Sequence, residues 1–308
     1  MKTIFKIFLA TITLSLFASE TFAKKKYILV AHGLASDSFW NAARNGMDNA
    51  CEQVDAECSY RGTEVFSVDN MIKLMEQALA ENPDGIGITI PDAAGLADVI
   101  RKAVATGIPV VGFNAGFDTY QDLGVHSFVG QDEYEAGMAA GSYAATFGGS
   151  NAICLNHQVG HSGLDDRCNG FTAGFGGNTE VVAVDENDLA GVKSAVAAKI
   201  GDGVDFVMTL NATLINPVVV EAIEEAGLTG KVKTGTNDLS EVTLKNCAAG
   251  KVEFLIDQQQ YLQGYMPIIL FDQWHKYKVI PPAVPSGPNV VKPEACPAVI
   301  ELSAAGYR

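Results

Sequence analysis

The sequence predicts an α/β fold of two similar lobes, each a parallel sheet covered by helices on both faces. Three observations carry this prediction. From Tyr27 onward, short apolar runs alternate with amphipathic stretches, the pattern of buried strands interleaved with surface helices. Glycine and proline punctuate the junctions, as in Asn82-Pro83-Asp84-Gly85 and Thr106-Gly107-Ile108-Pro109, each of which stops a helix and starts a strand. The two halves also echo each other. "DGIGITIPDAAGLADVIRKAVATGIPVVGFNAG" and "VDFVMTLNATLINPVVVEAIEEAGLTGKVKTGTND" share strand, loop, helix, Gly-bearing turn, strand and polar loop, which implies a duplicated lobe.

The elements follow in order. Tyr27 to Ala31 reads as strand, Phe39 to Gln53 as helix and Cys58 to Tyr60 as strand. Helix Val68 to Ala80, strand Gly85 to Ile90, helix Ala94 to Thr106 and strand Pro109 to Phe113 come next. The rhythm breaks after Asn114 and restarts with helix Glu133 to Phe147, strand Ala152 to Leu155, helix Leu164 to Phe175 and strand Glu180 to Val184. Helix Leu189 to Ile200, strand Phe206 to Leu210, helix Pro217 to Ala226 and strand Lys231 to Gly235 complete the series.

The composition is globular: 48% of the 308 residues are apolar and 19% charged, which excludes a disordered or coiled-coil chain. A formal charge of −15 opposes binding to nucleic acid, and no compensating basic patch is expected in the mature part. Lys2 and Lys6, the apolar stretch Ile7 to Ala18 and the small-residue site Thr21-Phe22-Ala23 have the order of a secretory signal ending at residue 23. That stretch is too short to span a membrane, so a soluble, exported protein is expected. Export places Cys51, Cys58, Cys154, Cys168, Cys247 and Cys296 in an oxidising compartment, where an even count favours disulfides. Sequence alone does not choose among their connectivities. Local closure suggests Cys51 with Cys58 and Cys154 with Cys168, leaving Cys247 with Cys296, a link between a helix end and the C-terminal tail.

In an open parallel sheet, ligands bind beyond the carboxyl ends of the strands. The segments there are His32 to Asp37, Ile90 to Ala93, Asn114 to Asp118, Asn156 to Gly163, Asn211 to Leu214 and Asn237-Asp238. No phosphate loop, dinucleotide fingerprint or nucleophile elbow occurs, so no nucleotide cofactor is expected. Cys154, His157, His161 and Cys168 are either a tetrahedral zinc set or a disulfide with two loop histidines; the oxidising compartment favours the second. Asp37 is a helix cap or a ligand acceptor, and of Phe39 and Trp40 one ring is expected in the core and one at the cleft. Asp238-Leu239-Ser240-Glu241 fits a capping box, although Asp238 also ends a predicted strand. Asn114 and Asn211 hold matching strand ends, where each makes a turn or meets a ligand. Arg167 can present a planar fork of donors to adjacent oxygens.

With these positions assembled, the chain resembles the periplasmic solute-binding proteins of sugar ABC transporters, of the ribose/galactose type. The resemblance rests on "SDSFWNAARNGMDNA", "NPDGIGITIPD", "GIPVVGFNAG", "VGQDEYEAGMAAGSYA", "RCNGFTAGF" and "VEFLIDQQQYLQGYMP", in that order and spacing. It implies a type I periplasmic binding protein: two doubly wound lobes joined by a three-strand hinge, with crossovers near Val129, Gln258 and Ser286. The expected lobes are residues 24–129 with 259–285, and 130–258 with 286–308. The ligand set it implies is Asp37, Phe39, Trp40, Asn114, Gln131, His157, Arg167, Asn211, Asp238 and Gln258. The family pattern has an arginine where Ala115 stands, and a second arginine is missing from the loop Asp185-Glu186-Asn187-Asp188.

The expected function is capture of a monosaccharide or polyol by a monomer that delivers it to a membrane permease, without a cofactor or metal. A receptor for a sugar-like signal is the alternative. A secreted hydrolase using Asp37 and Asp238 as paired carboxylates is a weaker one, since no activated nucleophile is evident.

Overall fold

The computed structural model describes residues 23–33, 37–63 and 65–308. The expected signal segment, apart from Ala23, lies outside the described residues. No helix among the described residues is long and apolar enough to cross a membrane.

The first lobe begins with β1 (Lys26–Ala31), α1 (Ser38–Val54), β2 (Glu57–Gly62) and α2 (Val68–Ala80). It continues with β3 (Gly85–Ile88), α3 (Ala93–Ala105), β4 (Val110–Asn114) and β5 (Ser127–Gly130). The second lobe holds α4 (Glu133–Ala145), β6 (Asn151–Asn156), α5 (Ser162–Phe175), β7 (Asn178–Ala183), α6 (Leu189–Gly201) and β8 (Phe206–Thr209). Then come α7 (Ala212–Leu214), a π-helical turn (Ile215–Val219), α8 (Val220–Glu225), β9 (Lys233–Asn237), α9 (Glu241–Ala248) and β10 (Phe254–Asp257). The chain returns to the first lobe for α10 (Gln260–Tyr277) and β11 (Ala283–Pro285), and ends in the second with β12 (Asn289–Val291) and α11 (Cys296–Ala304).

Each lobe has a six-stranded sheet, ordered β11-β5-β4-β3-β1-β2 in the first and β12-β10-β9-β8-β6-β7 in the second. All pairings are parallel except β10 with β12. The chain passes between lobes after β5, after β10 and between β11 and β12.

Both sheet faces are buried, which is why the central strands read as unbroken apolar runs rather than alternating ones. In the first lobe Met71, Met75, Leu96 and Ile100 of α2 and α3 cover one face, while α1 and α10 cover the other with Trp40, Met47, Ile268 and Phe271. In the second, α6, α8, α9 and α11 pack on one face and α4 with α5 on the other. The α4–α5 pair is unusually close because glycines line both helices. A Cβ at Gly137, Gly141, Gly170 or Gly174 would lie 2.1, 2.2, 2.0 or 2.4 Å from a backbone oxygen of the facing helix. That contact gives "AGMAAGSYA" and "RCNGFTAGF" their physical meaning.

The disulfides are Cys51–Cys58, Cys154–Cys168 and Cys247–Cys296, the last joining α9 to the start of α11. Because Cys154 and Cys168 bond each other, the four-residue zinc set does not form. Other expectations need correction. Strand β5 lies in the stretch after Asn114 where the alternating pattern breaks, since four residues show too little pattern. The helix expected from Pro217 begins at Ala212 and reaches Pro217 through the π turn. The strand expected to reach Ile90 ends at Ile88. The cap of α9 is Ser240, in a capping box with Thr243, so Asp238 is freed from that role.

Candidate functional site

The carboxyl ends of both sheets face a cavity of about 560 Å³ between the lobes, its mouth included. Nine of the ten sequence-predicted residues line it: Asp37, Phe39, Trp40, Asn114, His157, Arg167, Asn211, Asp238 and Gln258. Gln131 does not. It is buried behind the site, where its amide donates to Glu133 Oε2 at 2.9 Å.

The first lobe supplies an aromatic wall. Asp37 caps α1 by accepting from the Phe39 N–H at 3.0 Å through Oδ1, and the Ser38 side chain also bonds its carboxyl. Phe39 and Trp40 belong to the core cluster and also line the cavity, so the division into one core ring and one cleft ring does not hold. Trp40 stands edge-on to Phe39 and to His32, at centroid distances of 4.9 and 5.0 Å. Gly33 makes room for it: a Cβ there would fall 1.6 Å from the indole Nε1.

Two strand ends turn in the left-handed region, Asn114 at φ 63° and Asp238 at φ 70°. Asn and Asp tolerate that conformation better than other side chains with a Cβ, and it places a short polar group at the mouth of each sheet. Asn114 Nδ2 donates to Gln258 Oε1 at 3.3 Å and to Gln263 Oε1 at 3.0 Å. Gln258 Nε2 donates to Asp238 Oδ1, and Gln263 Nε2 donates to Ser286 Oγ at 3.1 Å. These amides connect a strand end of each lobe through two of the interlobe crossings. Burial pushes Asp238 up to about 7, against the opposing influence of Arg167 and the Gln258 bond.

Arg167, 5% exposed, reaches back across the α4–α5 contact. Its Nε and Nη2 donate to Glu133 at 2.6 and 2.9 Å, a two-pronged pair, and Nη1 donates to the Leu210 carbonyl at 3.1 Å. Burial works against the guanidinium charge, and Glu133 more than restores it.

Two buried histidines absent from the expected ligand set, His32 and His161, line the cavity beside the expected His157. His161 caps α5, accepting from the Leu164 N–H at Nδ1 (3.3 Å), and its Nε2 meets His32 Nε2 at 3.3 Å across the cleft. His32 Nδ1 lies 2.9 Å from Thr89 Oγ1. The consistent wiring of neutral rings puts the His161 proton on Nε2, donated to His32, and the His32 proton on Nδ1, donated to Thr89. Burial lowers His32 and His157 to about 3, and His161 well below its ordinary value, so all three are neutral near pH 7. Ser162 N and Oγ donate to the Pro91 carbonyl at 2.9 and 3.0 Å, a second contact that holds the lobes together.

Glu186 was also missed; its loop had been noted only for a missing arginine. It lines the cavity, accepting from Gln158 Nε2 at 3.0 Å and Asn211 Nδ2 at 3.1 Å. Burial, and after it the Asp37 charge, push its carboxyl up. Asn211 caps α7 as well, accepting from the Leu214 N–H at 3.1 Å, so the turn and cleft roles coexist. Phe66 closes the rim beside His161. The strand-end rule had marked the segments holding His32, Gln158 and His161, but no pattern in the sequence distinguished them from ordinary loop residues.

A family model described as periplasmic binding protein domain matches residues 28–273. The chain is 30% identical to a carbohydrate transporter from Acidothermus cellulolyticus 11B solved in complex with myo-inositol. The TM-score is 0.86, over 92% of this chain and 100% of that one. An arabinose-binding protein from Geobacillus stearothermophilus is 25% identical, with a TM-score of 0.71 over 89% of this chain and 99% of its own. A xylose/arabinose-binding protein from Sulfolobus acidocaldarius is 23% identical over 260 residues, 79% of this chain, and the chain spans 64% of that relative's length.

Proposed function

The chain belongs to the periplasmic binding protein family, and on that premise we propose that it is an exported solute-binding protein for a small polyhydroxylated ligand. A monosaccharide or polyol is captured in the cleft between the lobes and handed to an ABC transporter permease. The observation that carries this reading is the make-up of the cleft. Carboxylates and amides from both lobes stand beside an aromatic wall, which suits a ring with hydroxyls on its edge and C–H groups on its face. The inositol-bound carbohydrate transporter, similar along nearly the whole chain, supports the same class of ligand.

Closure follows from the site's division between lobes. Asp37, Trp40 and Asn114 come from the first, while His157, Arg167, Glu186, Asn211 and Asp238 come from the second. A ligand touching both sets gains its full contacts only with the lobes together, and that difference drives the equilibrium toward the closed form. One oxygen of Asp37 is held by a backbone amide and one of Asp238 by Gln258, which orients both carboxyls in the cleft.

A thermal-shift screen over pentoses, hexoses, polyols and cyclitols tests the reading. A ligand at 100 times its Kd adds about 2.7 kcal/mol of stability, which is readily seen as a higher melting temperature. The bound compound recovered unchanged after long incubation supports a binding role, and turnover defeats it. Loss of uptake on deletion tests the permease partnership.

A further inference from the structure

Resting on the reading of the cleft as a polyol site, we propose that its ligand is an amine-bearing polyol, an amino sugar or aminocyclitol, whose ammonium group lies between Asp37 and Glu186. These two carboxylates line one cavity from opposite lobes.

The charges point this way first. Asp37, Glu186 and Asp238 line the cavity, and Arg167 is the single Lys or Arg among the described lining residues. Its charge is already answered by Glu133, which faces it from α4 through two hydrogen bonds. The lining histidines are neutral. The cavity is therefore negative. Asp37 raises the proton affinity of both Glu186 and Asp238, a repulsion between like charges across the cleft that an ammonium relieves and a hydroxyl does not.

Acceptors stand where an ammonium would be held. Asn114 gives both amide hydrogens to Gln258 and Gln263, so the group it has left is an oxygen. Gln158 has given a hydrogen to Glu186, and its oxygen is free among the described residues. Asp37 accepts from the Phe39 N–H and is bonded by the Ser38 side chain, and the second oxygen of Asp238 is free among the described residues. The His157 side chain is 6% exposed; its Nε2 lies 3.8 Å from Glu186 Oε2, and its Nδ1 has no partner among the described residues. With its proton on Nε2, toward the carboxylate, Nδ1 is one more acceptor. Donors face the cavity as well: the one remaining N–H on each of Nη1 and Nη2 of Arg167, the indole N–H of Trp40 and the second amide hydrogens of Gln158, Asn211 and Gln258. The hydroxyls of the polyol meet these donors, while an ammonium brings three donors and no acceptor to the carboxylates. Sugar phosphates and sugar acids do not fit the charge.

The test is calorimetric titration at pH 7 with matched pairs: D-glucose and D-glucosamine, D-galactose and D-galactosamine, myo-inositol and its amino-deoxy analogue. The amine of an accepted pair is expected to bind at least about ten-fold tighter than its neutral parent. Glu186→Gln, whose folding is checked by its melt, should bring the two to near parity, and N-acetylation of the amine should abolish the advantage. Equal or tighter binding of the neutral member, or an amine preference that survives Glu186→Gln, overturns the proposal and leaves the polyol reading standing. If no member of any pair binds, the polyol reading fails and the proposal falls with it.

Discussion

Replacing Arg167 with methionine takes away the cation that faces Glu133 and leaves a carboxylate that is 5% exposed with no compensating charge. Glu133 then loses the charge-assisted bonds of 2.6 and 2.9 Å and keeps only the Gln131 amide at 2.9 Å. Removing one partner of a buried ion pair costs about 3–5 kcal/mol, because the remaining charge stays desolvated. For a protein of this size, about 2–4 °C per kcal/mol converts that into a melting temperature lower by roughly 6–20 °C. Scanning calorimetry with urea titration measures the loss. Adding Glu133→Gln to the Arg167→Met variant removes the stranded charge while keeping an acceptor for Gln131, and should restore more than half of it. Binding should not recover in the double variant, since the cavity still lacks the guanidinium donors. A single variant that melts within about 2 °C of the parent, or a double variant no more stable than the single, refutes the buried-pair account.

Asp238→Asn keeps the size of the side chain and its tolerance of positive φ but removes its charge. Titration calorimetry should show polyol affinity reduced about ten- to a hundred-fold, with folding retained. On acidification, His32 and His157, with folded pKa values lowered to about 3, contribute stability that is present above their ordinary 6.5 and lost below it, about 2 kcal/mol each at pH 5. Asp238, raised to about 7, contributes stability fully present below its ordinary 3.8 and lost as pH rises through 7, so it returns about 2 kcal/mol between pH 7 and 5. The histidines prevail, and the unliganded melting temperature should fall from pH 7 to pH 5; a flat or rising profile contradicts this balance. Gly170→Ala puts a Cβ about 2.0 Å from the Tyr134 carbonyl oxygen and must push α5 from α4, so a loss of roughly 1–3 kcal/mol in a urea melt is expected, with weaker binding through Arg167.

Local periodicity and punctuation determined most of the fold. Helix α2 spans Val68–Ala80 as its apolar spacing predicts, and the duplicated strand-loop-helix order yields two lobes whose strand ends meet. The rule that ligands gather at strand ends, joined to the family resemblance, placed nine of the ten expected residues on the cavity. Short or atypical elements such as β5 and the π turn before α8 escaped, because four or five residues hold too little pattern to read.

Only the tertiary structure decided what those site residues do. Arg167 is tied to Glu133, 34 positions away in sequence, because glycine-lined helices approach closely enough for the pair to form. His32 meets His161 from a distance of 129 residues, and Glu186 joins the site from a loop marked in the sequence only by a missing arginine. Asp238 is a buried carboxyl held by Gln258 because Ser240 took the capping role two residues later. Charge balance and protonation depend on what lies within a few ångströms in space. A periodic pattern records which face of an element is buried, but it does not record which polar group will stand opposite.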